Sequence, residues 1–293
     1  MSAPADLASA VLVVDARLGL SDQARDADRD AIAQAAPGTD VSVLEAADPP
    51  LQALLAAPAD LVVMRTADPD WAPALYRLAA FLVWDARDLS ADAVRAALCD
   101  SERRARLDRA LASADAVIGL PEPARLAVED TLRLGLGLRD LDAAVRYLRA
   151  RTLVVVGEGL GNMIYATPML RWISERLAAP IDLVVHTPFD DAVALFGGAP
   201  WLAAAHSGWG RLGGRRYRRL IQSVTASGLE PPVPADVVLS LNRTRHYNAD
   251  GRFIPEDLLN FLGLEELFGD APRSVEALPP PFIRDGRKPS AEP

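Results

Sequence analysis

The chain has 293 residues, half of them hydrophobic, with a formal net charge of −9 and a pI near 4.9. That length suits two α/β units of ordinary size, and the acidic balance excludes general nucleic-acid binding, which needs a basic surface. The one cysteine, Cys99, excludes an internal disulfide framework and a multi-cysteine zinc site and fits a reducing cytoplasm.

From the N-terminus, Met1 to Ala10 lacks the basic segment and apolar run of a secretory signal. No stretch reaches the roughly 18 apolar residues of a spanning helix. Short apolar runs follow at Val11–Val14, Val41–Leu44, Leu61–Met64, Phe81–Trp84 and Ala116–Gly119. They show little polar alternation, as strands covered on both faces of a parallel sheet do. Between them, Asp28–Ala36, Leu51–Ala57, Trp71–Ala79, Ala91–Ala97 and Glu102–Ala112 read as helices, with Ser90 and Ser101 as N-caps. Cys99 reads as a small apolar residue buried on a helix. Arg133–Arg151 reads as one helix leading to a domain boundary near Ala150.

The rhythm then restarts. Leu153–Val156 is a predicted strand, Gly157–Asn162 a glycine loop, and Met163–Leu177 a helix with Met163, Ala166, Leu170, Ile173 and Leu177 on one stripe. Pro168 is expected to kink that helix or to mark its true first turn. Ile181–Val185 and Val237–Leu241 read as strands, and Asp190–Phe196, Arg215–Ala226 and Pro255–Leu262 as helices. The alternation predicts an α/β protein of two tandem Rossmann-like, doubly wound parallel-sheet domains. Their expected limits are 1–150 and 151–275, followed by a flexible tail over 276–293.

Gly157, Gly159 and Gly161 alternate directly after a strand and before a helix. Glycine allows close approach of a ligand, and the helix that follows offers free N–H groups to a phosphate. A tight turn needed for packing alone fits the same pattern. A dinucleotide site would need G-x-G-x-x-G and an acid ending the next strand. The spacing here is G-x-G-x-G and that strand ends in His186, so a nicotinamide cofactor is the weaker reading.

The run Val154-Val-Val-Gly-Glu-Gly-Leu-Gly-Asn-Met-Ile-Tyr-Ala-Thr-Pro-Met-Leu-Arg-Trp resembles the opening of family 9, heptosyltransferase-like glycosyltransferases of the GT-B type. Ile181-Asp-Leu-Val-Val, Asp236-Val-Val-Leu-Ser-Leu-Asn-Arg and Phe253–Leu264 are similar to later segments of its acceptor-side half, so the resemblance covers residues 151–268. It implies a GT-B-like fold and transfer of a sugar from a nucleotide-sugar to a hydroxyl of a glycan or lipid-linked acceptor. Gly157, Gly159, Gly161, Asn162 and Thr167 would bind substrate, together with Arg243, Arg245 and His246 after the Val237–Leu241 strand. Enzymatic members of the family carry a catalytic-base Asp after the last glycine. This chain has Asn162 there, and an amide cannot take the acceptor proton. Glu158 is the surrogate base, or it only solvates the turn. The family's donor-binding half would follow this segment; its place would fall to the N-terminal unit or to a partner chain, or there is no donor site. Ala112-Ser-Ala-Asp-Ala-Val-Ile-Gly-Leu-Pro-Glu is similar to a strand of retaining GT-B enzymes. A non-catalytic binding or assembly protein derived from the GT-B fold is the rival expectation.

Asp15, Arg17, Arg65, Asp85, Arg87 and Asp88 follow predicted strand ends, where open α/β sheets bind ligands; helix caps and surface ion pairs are the alternative. Arg211, Arg215, Arg216, Arg218 and Arg219, around Tyr217, form a basic cluster suited to an anionic acceptor, or a solvated helix face. His186, His206 and His246 show no metal-ligand spacing, so neither a metal nor another cofactor is expected; backbone N–H groups and arginines would meet phosphate charge. The expected place is the cytoplasm, with peripheral membrane contact and oligomerisation left open.

Overall fold

The computed structural model describes residues 7–76, 78–157, 160–186, 193, 195–212, 215–226, 229–240, 264–272 and 277–279. The first sheet takes β1 (Ser9–Asp15), β2 (Asp40–Ala46), β3 (Ala59–Arg65), β4 (Ala79–Asp85) and β5 (Ala116–Ile118) in the order β2-β1-β3-β4-β5, all parallel. Between these strands run α1 (Asp22–Ala35), α2 (Leu51–Ala56), α3 (Trp71–Leu75), α4 (Ala91–Cys99) and α5 (Ser101–Ser113). One face of the sheet packs Val13, Val62, Met64, Leu82 and Trp84 under α3–α5; the other packs Leu12, Val14, Leu61 and Val63 under α1. Covering both faces is what makes β1, β3, β4 and β5 read as unbroken apolar runs; β2, at the sheet edge, has no buried residue and departs from that expectation. Asp60 and Asp115, each preceding its strand's apolar run, tie neighbouring strands together. Asp60 accepts from Ala8 N at 2.9 Å and Asp115 from Leu82 N at 2.8 Å.

Several boundaries depart from the sequence reading. Ser90 caps α4 as expected, but Asp100, not Ser101, caps α5 by accepting from Arg103 N at 2.8 Å. Cys99 is exposed, the reverse of expectation. Arg133–Arg151 is not one helix. It follows α6 (Glu122–Leu132) and divides into β6 (Leu134–Leu136) and α7 (Leu141–Ala150). Arg133 takes a left-handed φ of 52°, which ends α6.

The second sheet takes β7 (Thr152–Gly157), β8 (Ile181–His186), β9 (Leu202–Ser207), β10 (Tyr217–Gln222) and β11 (Ala235–Ser240) in the order β11-β10-β7-β8-β9-β6. The fold is therefore α/β with two Rossmann-like sheets, but this one is mixed, because β6 lies antiparallel to β9. α8 (Leu160–Leu177) follows β7, and α9 (Glu265–Phe268) packs Leu267 and Phe268 against the same core. Arg215–Ala226, read as a helix, is the inner strand β10 followed by a tight turn. The predicted Pro255–Leu262 helix lies outside the described residues, as does most of Asp190–Phe196.

The two sheets are joined by shared packing. Leu134, Leu136 and Ala204 belong to the core under α3–α6, and Ala203 joins the core under α1 and α7. Between them lies a buried polar knot. Asp182 on β8 accepts from Tyr147 OH at 2.6 Å and Tyr217 OH at 2.7 Å, and Arg215 lies 3.5 Å away. Arg151 pairs with Asp115 and stacks over Phe81 and Tyr217.

Candidate functional site

In open α/β sheets ligands bind outside the carboxyl ends of the strands, where the winding reverses. In the second sheet the chain passes from β7 outward to β8 and β9, then returns to the other side of β7 as β10, so the reversal lies between β7 and β10. Gly157 ends β7 there. Its N–H donates to Thr225 Oγ1 at 3.1 Å, and Ser223 N donates to Val155 O at 2.9 Å, so the turn after β10 forms one wall of the crevice. A Cβ on Gly157 would sit 2.7 Å from the Thr225 carbonyl oxygen, so the glycine is required by close backbone packing. α8 begins at Leu160 and turns its positive end toward the same edge.

Glu158 and Gly159 lie outside the described residues, as do Arg243, Arg245 and His246. Gly161 and Asn162 fall in the first turn of α8, in backbone only. Thr167 sits elsewhere: it is buried, and its hydroxyl donates to Ile164 O at 2.8 Å. Pro168 has no N–H to give that carbonyl, and the Thr167 hydroxyl supplies the missing donor, so the helix runs through the proline unbroken. A group the sequence reading used only as a negative sign comes into the site. His186 ends β8 exposed and stands in register with Gly157. Its signal was positional, as the last residue of the strand beside the glycine strand.

The arginine cluster does not share this edge. Arg219 stands opposite Thr152 at the amino end of β7, five residues from Gly157, which is roughly 16 Å at strand rise. Its members also diverge. Arg215 is buried and donates to Ala114 O at 2.8 Å, Arg211 reaches Asp108 and the Leu132 carbonyl, and Arg216 pairs with Asp236. Arg218 and Arg219 donate to the carbonyls of Arg149 and Ala150 at the end of α7.

The carboxyl edge of the first sheet carries a device used twice. Asp15 and Asp85, each nearly buried, are clamped by the arginine two residues on. Arg17 donates to Asp15 from its backbone N and its guanidinium, and Arg87 does the same to Asp85. Burial pushes the Asp15 carboxyl up, but the bonds from Arg17 and Thr66 outweigh it and hold it below its ordinary value. Arg65 sits between the clamps, paired with Asp28 and Asp88. A repeated Ala-x-Leu-Val-x-Asp-Ala-Arg, at Ala10–Arg17 and Ala80–Arg87, was the sequence signal for this pair. With every guanidinium answered by a carboxylate, this edge fits the ion-pair reading.

Among the described residues, no group of three or more His, Cys, Asp or Glu is placed to hold a metal, and no helix is long and apolar enough to cross a membrane. No family model and no curated protein sequence matches the chain.

Proposed function

We propose that the chain is a GT-B-type glycosyltransferase, resembling family 9, that acts in the cytoplasm on a nucleotide-sugar at the carboxyl edge between β7 and β10. The observation that carries this reading is the position of the Gly157 turn, at the reversal of strand order and directly before α8. In the reaction an acceptor hydroxyl attacks the anomeric carbon, the bond from that carbon to the phosphate oxygen breaks, and the nucleoside diphosphate leaves. The N–H groups of the first turn of α8 meet the charge on the leaving phosphate. The acceptor's proton goes to Glu158, next to Gly157 in sequence, or to His186, in strand register with Gly157. Losing a positioned base costs about 10²- to 10⁴-fold in rate. Glu158→Gln and His186→Gln, assayed side by side, therefore identify the acceptor, and a transferase indifferent to both has its base elsewhere.

A nucleotide-sugar at about 100 times its Kd adds about 2.7 kcal/mol to stability, visible as a rise in Tm. A screen of UDP-, GDP- and ADP-sugars is expected to yield one that stabilises the chain. Asn162 in the base position, together with the Thr225 carbonyl that fills the space beside Gly157, favours a second reading: a binding or assembly protein that retains the fold. Indifference to all three sugar classes selects it.

A further inference from the structure

At the amino end of the second sheet, opposite the glycine turn, lies a groove of about 500 Å³. Arg146 and Arg149 enter it from α7, Arg176 from the end of α8, and Arg218 and Arg219 from β10. On a chain of net charge −9 this is a local excess of positive charge. Asp142 takes Arg146, Asp270 takes Arg176, and the groove's own carboxylate, Asp236, is engaged by Arg216. Arg149 and Arg219 have no ion-pair partner among the described residues. Capping the Ala150 carbonyl occupies one donor of Arg219, and the rest of its fork has no partner among the described residues. Burial, and then the neighbouring Arg218, hold the Arg219 guanidinium below its ordinary range, and an anion beside it would offset both. Beside the arginines lies an apolar shelf of Leu177, Val237 and Phe268, with Val237 47% exposed on the edge strand β11.

Arginine forks suit the tetrahedral oxygens of phosphate, and the shelf suits an attached apolar group. We propose that this groove binds a phosphate ester bearing an apolar group, the phosphate on Arg149 and Arg219 and the apolar group on the shelf. The site stands five strand residues, roughly 16 Å, from the glycine crevice and does not depend on the chemistry proposed there.

Calorimetric titration of the full chain with n-hexyl phosphate and with inorganic phosphate tests it. Hexyl phosphate is expected to bind at least tenfold tighter. Arg149→Ala should weaken both ligands at least fivefold, Val237→Ser should weaken hexyl phosphate alone, and Arg95→Ala, the same charge change at an exposed position on α4, should weaken neither. Equal affinity for the two phosphates overturns the proposal, and so does a loss in Arg95→Ala matching that in Arg149→Ala. Co-sedimentation with phosphatidylglycerol-containing vesicles against pure phosphatidylcholine identifies the source. Selective sedimentation that Arg149→Ala abolishes assigns a lipid headgroup, and hexyl phosphate binding without sedimentation assigns a soluble ester.

Discussion

At the scale of single residues, buried polar groups set the sharpest expectations. Asp182 is almost wholly buried, with two tyrosine hydroxyls and Arg215 as its partners. Removing one member of such a set strands the others, at a cost of about 3–5 kcal/mol. Asp182→Ala should lose that much in urea denaturation, and a loss under 1 kcal/mol, measured on about the same scale, would show the knot to be dispensable. His206 lies 4.0 Å from the same carboxylate. Burial, then Arg215 and Arg211, push its pKa well below 6.5, so the folded chain holds it neutral. Below pH 6.5 the unfolded chain binds the extra proton, and stability falls with pH by up to about 1.36 kcal/mol per unit. The stability is present above pH 6.5 and is lost as pH drops. His206→Leu should flatten that slope between pH 6.5 and 5; an unchanged slope in the variant would assign it to other groups. Burial, and then Asp182, raise Tyr147 and Tyr217. Their contribution is complete below pH 10 and declines above it, where the unfolded phenols ionise.

At the scale of elements, α8 offers a test of how a helix tolerates proline. Thr167 and Pro168 act as a pair, the hydroxyl replacing the N–H that proline lacks at the Ile164 carbonyl. Thr167→Val alone should cost about 1–2 kcal/mol, because a carbonyl is left unmet. In a Pro168→Ala background, where the N–H returns, the same change should cost much less. A double-mutant cycle with coupling under about 0.5 kcal/mol would refute the pairing. This pair also shows where reading from sequence reached its limit. The Thr-Pro pair carries the family resemblance, yet its hydroxyl is spent inside the helix. Strands β1, β3, β4, β7 and β8 were legible because burial on both faces leaves an unmistakable apolar run. β10 was not. Tyr217, Leu220, Ile221 and Val224 fall at helical spacing, and consecutive burial from Leu220 to Ser223 between two neighbours erases the alternation that marks a strand. β9 is alanine-rich and β6 only three residues long, so neither carries enough apolar signal to separate it from its surroundings. The glycine turn was legible as a site because strand, turn and helix are contiguous in sequence. His186 was not, because only sheet register brings it beside Gly157.

At the scale of the whole molecule, the chain leaves the first sheet, pairs β6 with β9 of the second, and then returns to cover the first sheet with α7. Leu134 and Leu136 are buried by both sheets together. Gly137, directly after β6, has no room for a side chain, since a Cβ there would lie 1.9 Å from the Leu202 carbonyl oxygen. Arg151–Asp115 and Arg215–Ala114 add bonds between the two sheets' elements. A chain cut after Ala150 would keep β6 without its hydrogen-bond partner β9 and without Ala204 beside Leu134 and Leu136, leaving an unpaired strand edge. The two sheets should therefore unfold as one cooperative unit, with a single calorimetric transition whose van't Hoff and calorimetric enthalpies agree. Gly137→Ala should lower that transition as a whole, by about 1–3 kcal/mol or more, because the displaced atom is backbone. Two resolved transitions, with only one of them moved by Gly137→Ala, would instead make each sheet its own folding unit and reduce the β6–β9 pairing to a contact between finished domains.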